Sequence, residues 1–337
     1  MKDFLNKPLS ERYRYLGNTD QLYSVDKITY EEGKRRGCQV FDVKNGGGLN
    51  FKVNIDNALD IAEVSYKGIP ISYLSKNGFN SPYNYIPVET NFQSTFPGGM
   101  LYTCGLMTTG PACYDRGKFQ PIHGKINAIP ADRVSSTIND EKEIVINGRI
   151  KETQLCGHSL ELLRTIKCNV GENKIVLTDV LTNKCETDEK FNIIYHMNFG
   201  FPFICEDTKL VVPENTVITP RDAEAEKGVG SELEFSKPID NYLEQVFFHD
   251  VPAENGMSSV CLENKKLGVG VKVSWSKDTL PRAAEWKNMR SSEYVVAIEP
   301  TNGFIKGRYE EKKNQSIQTI KAFESITMQV SLEFYDL

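Results

Sequence analysis

Three residues of this chain have side chains and settings suited to moving protons. His123 lies in Pro121-Ile122-His123-Gly124-Lys125, directly after the loop Gly110–Gln120. A glycine there lets the backbone turn sharply beside an imidazole that titrates near neutrality. His196 lies in Asn192-Ile193-Ile194-Tyr195-His196-Met197-Asn198-Phe199, where period-two alternation puts Asn192, Ile194, His196 and Asn198 on one strand face. Two amides and an imidazole on one face suit the hydrogen bonding of a polyol, although the same pattern describes a solvated outer face. Glu299 ends Tyr294-Val295-Val296-Ala297-Ile298-Glu299 before Pro300. It shares its face with Val295 and Ala297, which would desolvate a carboxylate and raise its proton affinity; a solvated strand end is the other reading.

Other candidates are less distinctive. Trp286, in Ala284-Glu285-Trp286-Lys287, offers a ring that could stack on the C–H face of a sugar or fill a core. His158 and His249 have no ligand-spaced companion and read as structural. Gly46-Gly47-Gly48 and Gly268-Val269-Gly270-Val271 lack dinucleotide or P-loop spacing, and neither Gly-x-Ser-x-Gly nor His-Glu-x-x-His occurs. No nucleotide cofactor and no catalytic metal is indicated.

The elements that would position these groups read as strands. Apolar residues alternate in short runs at Leu49–Ile55, Ile61–Ser65, Glu143–Arg149, Leu160–Cys168, Lys174–Thr182, Phe191–Phe199, Leu243–His249, Ser258–Glu263, Gly268–Ser276, Tyr294–Glu299 and Ser325–Phe334. Turn chemistry lies between or within them at Asn147-Gly148, Gly171-Glu172-Asn173 and Asn264-Lys265-Lys266. Short helices are expected near Ser10–Leu16, with Ser10 as cap, and around Pro281–Met289. The expectation is an all-β chain, a large and mostly antiparallel sandwich. With no repeat or linker in 337 residues, residues 1–337 should form a single domain, residues 1–37 being an N-terminal extension packed on it.

Composition narrows the partners. Charged residues make up 25% of the chain and the net charge is −5, with both signs mixed along it. No basic stripe is present to neutralise a phosphate backbone, so nucleic acid is a poor partner. No apolar run is long enough to cross a bilayer, and MKDFLNKPLSERYRYLG has no signal-like stretch. No membrane partner is expected, and a cytoplasmic location is. The eight cysteines are scattered without C-x-x-C pairs, which reads as free, mostly buried thiols.

Taken in order, the segments resemble the aldose 1-epimerase (galactose mutarotase-like) superfamily, in its branch of uncharacterised mutarotase-related bacterial proteins. The resemblance rests on Gly33-Lys34-Arg35-Arg36-Gly37, Gly48-Leu49-Asn50-Phe51, Leu59-Asp60-Ile61 with Tyr66-Lys67-Gly68, and Gly98-Gly99-Met100-Leu101 leading into Thr103-Cys104-Gly105-Leu106. It continues through His123-Gly124 with Pro130-Ala131, Thr178-Asp179-Val180 with Asn183, Tyr195 to Gly200, and Ile298-Glu299-Pro300. It implies a galactose mutarotase-like supersandwich with an open sugar cleft.

By the same resemblance His123 and His196 match the two active-site histidines, Glu299 the carboxylate base, and Glu244 an acidic residue that holds a sugar hydroxyl. Asn198, Trp286 and Arg116 complete the expected substrate contacts. Classical mutarotases carry a sugar-binding arginine upstream of the first histidine; this chain has no matching motif, and Arg116 stands nearest. The implied reaction is interconversion of the α and β anomers of an aldose, with Glu299 as base, protonated His196 as acid, and no cofactor. Two other readings stay open: an epimerase of a phosphorylated or acidic sugar, with Arg116, Lys118, Lys125 or Arg133 as counter-charge, and a non-catalytic sugar-binding protein. A symmetric partner covering a sandwich edge would make a homodimer.

Overall fold

The computed structural model describes residues 2–5, 7–88, 91–140 and 142–337. Three antiparallel sheets dominate it. The first runs in chain order, Ser24–Thr29, Gln39–Lys44, Leu49–Asn54, Asp60–Tyr66 and Ile69–Pro70. The second has eight strands, ordered Thr208–Val211, Met257–Asn264, Val269–Ser276, Ser325–Asp336, Lys174–Asn183, Ser159–Asn169, Glu143–Thr153 and Asp132–Ile138. The third has seven: Val217–Pro220, Gln245–Asp250, Arg282–Arg290, Glu293–Thr301, Glu189–Gly200 and Gln318–Ile320 in order, with Tyr102–Leu106 also pairing to Glu189–Gly200. No helix among the described residues is long and apolar enough to cross a membrane.

Period-two patterning explains how the layers pack. Glu143–Thr153 and Ser159–Asn169 bury alternate residues, so Ile144, Ile146, Ile150, Leu160, Leu162 and Ile166 enter the core while their neighbours face outward. Glu189–Gly200 differs, because it is buried on both faces. Ile193, Tyr195, Met197 and Phe199 join the main core. Ile194 belongs to a second apolar cluster with Tyr73, Phe96, Tyr102, Cys104, Val246, Phe248, Ala284, Val295 and Ile305. The face that carries His196 is therefore roofed by loops and is not an outer surface.

Several local expectations change. The segment around Pro281–Met289 is the strand Arg282–Arg290, paired on both sides within the third sheet. Its Ala-Ala-Glu run has helical propensity, but alternate burial between two strands decides the outcome. Near the N-terminus the helix is Leu9–Arg12, with Ser10 inside it and not at its cap. Asn147-Gly148 makes no turn: it lies within Glu143–Thr153, where the register to Asp132–Ile138 shifts at a bulge. Of the eight free cysteines only Cys38, Cys104 and Cys168 are buried. Ser24–Thr29 is the edge strand of the first sheet, and Leu5 reaches the main core; Met1 and Asn6 of the expected N-terminal extension lie outside the described residues.

The deepest polar feature is an ion cluster between the sheets. Arg164 and Asp179 face each other across adjacent strands, with Nε to Oδ1 at 2.9 Å and Nη2 to Oδ2 at 2.7 Å. Arg164 also donates to Asp60 and, at 3.0 Å, to the Ala58 carbonyl and the Thr103 hydroxyl. Tyr195 donates to Asp179 at 2.8 Å, while Thr103 N–H and Asn127 each donate to Asp60 at 2.7 Å. Arg164→Met would leave both carboxylates buried without their cation. The expected loss is about 3–5 kcal/mol of folding stability, to be read from urea or thermal unfolding.

Candidate functional site

Over the outer face of the third sheet lies a cavity of about 870 Å³, lined among others by His123, His196, Glu244, Trp286 and Glu299. These five sequence candidates meet although they come from separate parts of the chain. His196 is mid-strand in Glu189–Gly200, and Glu299 is near the end of the neighbouring Glu293–Thr301. Trp286 stands one strand further, opposite Ala297. Period-two alternation turns all three side chains to the same side.

The central contact joins His196 Nε2 to Glu299 Oε1 at 3.1 Å. The residues are 5% and 3% exposed, so neither keeps much hydration. Burial pushes Glu299 up to about 8, helped by Glu244 and opposed by Arg221. Burial and nearby His123 bring His196 down to about 3. Burial therefore favours a protonated Glu299 carboxyl beside a neutral His196 imidazole near neutral pH.

His123 reaches the cavity from a loop and is held by backbone. Its N–H donates to the Gly110 carbonyl at 2.9 Å, and the Gly110 N–H donates to its Nδ1 at 3.4 Å. With Nδ1 accepting, the neutral ring carries its proton on Nε2. Burial and Arg221 bring His123 down to about 4, so it is a neutral hydrogen-bond donor at physiological pH. Its φ is +56°, an uncommon left-handed value for a residue with a side chain.

Aromatic rings wall the cavity. His196 lies 5.4 Å from Trp286, 5.7 Å from Phe96 and 6.1 Å from His123 between ring centroids, and Phe92 lies 5.2 Å from His123. Phe92 and Phe96 stack at 5.1 Å. Such faces receive the C–H surfaces of a ring ligand while polar groups fix its orientation.

Arg221 was not anticipated from the sequence. It follows the strand Val217–Pro220 and lines the cavity. Asp222 accepts from its Nε at 2.8 Å and also caps the helix Ala223–Glu226, and Glu244 accepts from Nη2 at 3.4 Å. Glu244 in turn accepts from the Trp286 indole at 2.8 Å. A guanidinium thus stands in this cavity well after the first histidine in the chain, where an upstream arginine was sought. The available signal was Pro-Arg-Asp at a strand end, which many surface turns share.

Two expected substrate contacts lie elsewhere. Asn198 is fully buried behind the cavity, its amide donating at 3.0 Å to the Gly99 and His196 carbonyls. It supports His196 from behind and favours the protonated ring. Arg116 is exposed at the turn of the hairpin formed by Cys113–Asp115 and Lys118–Gln120. With Lys118 and Lys125 it lines a second cavity, and Arg133 is exposed on Asp132–Ile138. None of these four cations lines the cavity of His196, so the counter-charge expected of them for an anionic sugar is not at that place. His249 is buried against Glu285 at 3.0 Å, a structural pair.

Glu299 also makes stability depend on pH. Its folded pKa, about 8, lies above the ordinary 4.5. The stability favouring the protonated form is full below about 4.5 and is lost as pH rises through about 8. Glu299→Gln lacks this loss, so its Tm relative to the parent should climb between pH 5 and pH 8. Thermal unfolding across that range checks the sign.

Comparison with known proteins places the architecture. A Klebsiella pneumoniae protein provisionally designated an aldose 1-epimerase superposes with a TM-score of 0.88 at 24% identity, covering 95% of this chain and 87% of its own. A galactose mutarotase-like protein from Clostridium acetobutylicum gives 0.66 at 14%, covering 94% and 100%. The galactose 1-epimerase of Lactobacillus acidophilus gives 0.63 at 15%, covering 93% and 99%. The fold is therefore the galactose mutarotase-like β-sandwich. No curated protein matches the sequence. The family model described as Domain of unknown function (DUF4432) matches residues 35–334, and the chain belongs to that family.

Proposed function

We propose that this protein is an acid–base isomerase that interconverts the α and β anomers of an aldose in the cavity over the third sheet. The observation that carries the reading is the His196–Glu299 pair, two buried acid–base groups 3.1 Å apart on the cavity wall, which burial disposes to share a single proton. Anomer exchange needs one group to take a proton while another gives one, and then the reverse on reclosure. A pair that shares one proton serves both directions without a net change.

The sugar brings two oxygens on one carbon, the C1 hydroxyl and the ring oxygen, to replace the direct His196–Glu299 contact. The shared proton moves to His196, leaving Glu299 as carboxylate. Glu299 takes the C1 hydroxyl proton, the freed electron pair forms the carbonyl, and the C1–O ring bond breaks. Its electrons stay on the ring oxygen, which takes the proton from His196. Rotation about C1–C2 and the reverse transfers close the other anomer. His123, a neutral donor held by Gly110, stabilises the charge that develops on oxygen.

The aromatic wall and Arg221 support a sugar as ligand. Trp286, Phe92 and Phe96 offer faces for C–H groups, and Arg221 with Glu244 offers a fixed donor and acceptor for hydroxyls. Thiols that remain free fit a reducing, cytoplasmic setting.

A panel of neutral and anionic aldoses, followed by polarimetry or by NMR exchange between anomers, tests the reading. Acceleration is expected for at least one sugar, and none for any sugar overturns it. Glu299→Gln should lower that acceleration by about 10²-fold or more, since it removes one positioned acid–base group; unchanged turnover sinks the assignment. Activity of the parent should decline above pH of about 8, where the pair loses its shared proton. Arg221→Met should raise KM more than it lowers kcat, as expected for a residue that holds hydroxyls away from the reacting carbon.

A further inference from the structure

The loop that carries His123 rests against the chain at Gly105–Leu106, and that contact has a carboxylate behind it. Gly105 N–H donates to the His123 carbonyl at 2.8 Å, and Lys125 N–H donates to the Gly105 carbonyl at 3.0 Å. The approach leaves no room for side chains: a Cβ on Gly124 would stand 2.1 Å from the Gly105 oxygen, and one on Gly105 would stand 2.3 Å from the Asn192 oxygen. The next N–H, of Leu106, donates to the Glu152 carboxylate at 2.8 Å. Glu152 is 6% exposed, on the strand Glu143–Thr153 of the second sheet.

Glu152 lines the second cavity, of about 1190 Å³, together with Tyr85, Gly124, Lys125, His158 and Arg308. His123 lines the first cavity, and Gly124, the next residue, lines the second. The two cavities are thus separated here by the backbone that Glu152 holds. We infer that Glu152 is a positioning residue for His123, fixing the Gly105–Leu106 segment on which the His123 loop is registered and exchanging its proton through the rear cavity. This rests on reading His123 as an active-site group.

Burial pushes Glu152 up to about 7, against the pull of the Leu106 N–H, Lys125 and Arg308. Tyr85 also faces it, and burial holds that phenol protonated. For His158, on the same cavity, burial and the positive field of Arg308, Lys118 and Lys125 lower the proton affinity, opposed by Glu189. Arg308 is engaged by Asp115, Glu189 and the carbonyls of Met107 and Lys190. Glu152 is the group on this wall that holds the Leu106 N–H directly, and it titrates near neutral pH. Ionised, it accepts the Leu106 N–H strongly; protonated, it accepts weakly.

The test is a pH titration from 5.5 to 8.5, following the Leu106 amide and the His123 ring by NMR in the full chain. In the parent both signals should show a common inflection near pH 7. In Glu152→Gln, which keeps an acceptor of the same shape, the common inflection should vanish, leaving in the His123 ring alone the response to Glu299 near pH 8. In Glu152→Ala the His123 ring should shift at every pH, and any anomer exchange should fall on the order of 10–100-fold, as for a displaced reacting group. No inflection near pH 7 common to the Leu106 amide and the His123 ring in the parent, or a common inflection that survives in Glu152→Gln, overturns the proposal. If no aldose is turned over, the NMR signals still decide the position of Glu152 independently of the proposed reaction.

Discussion

Arg164 is bound by carboxylates from two sheets, and the partners of those carboxylates lie on the segments next to both cavity histidines. Asp179 ties it to Tyr195, the residue before His196. Asp60 ties it to Thr103 of the strand beside His196 and to Asn127, four residues beyond His123. A buried guanidinium must have its donors matched, since an unpaired charge in an apolar interior is strongly unfavourable. That requirement sets the register of three sheets at once. The apolar contacts around it are non-directional and would tolerate small slides that this cluster does not.

With the frame fixed, the site is governed by withdrawal of water more than by opposing charges. His196 and Glu299 are close enough for an ion pair, yet burial favours the arrangement in which neither is charged. Glu244 and Arg221, at the more open side, act on Glu299 in opposite senses and leave burial as the deciding influence. His123 is neutral for the same reason. A pair so arranged has a protonation state that responds to whatever displaces the direct contact.

Much of this was legible in the sequence. Alternation marked the principal strands, and it put His196 and Glu299 on the proper faces because a side-chain period of two survives small errors at strand ends. Local signals failed where neighbours outside the segment decide. Ala283–Lys287 has the composition of a helix but lies between two strands. Asn147-Gly148 has the composition of a turn, but a bulge uses the pair. Asn198 shares a face with His196, yet alternation cannot tell a side chain in the cavity from one behind it. Arg221 was invisible because it comes to the site through a strand pairing, Val217–Pro220 with Gln245–Asp250, and not through a motif.

The double burial of Glu189–Gly200 has a consequence for how this scaffold can change. Its inner face is locked into the core and its outer face into the second apolar cluster, so nearly every position on it is constrained by packing. The cavity rim is different in kind, for Gln93 comes from the short helix Asn91–Thr95 and Lys306 from a loop, both outside the sheet. Changes in what the cavity accepts are therefore better tolerated in the rim than on the doubly packed strand. A designer reshaping the cavity would vary the rim and leave the strand untouched.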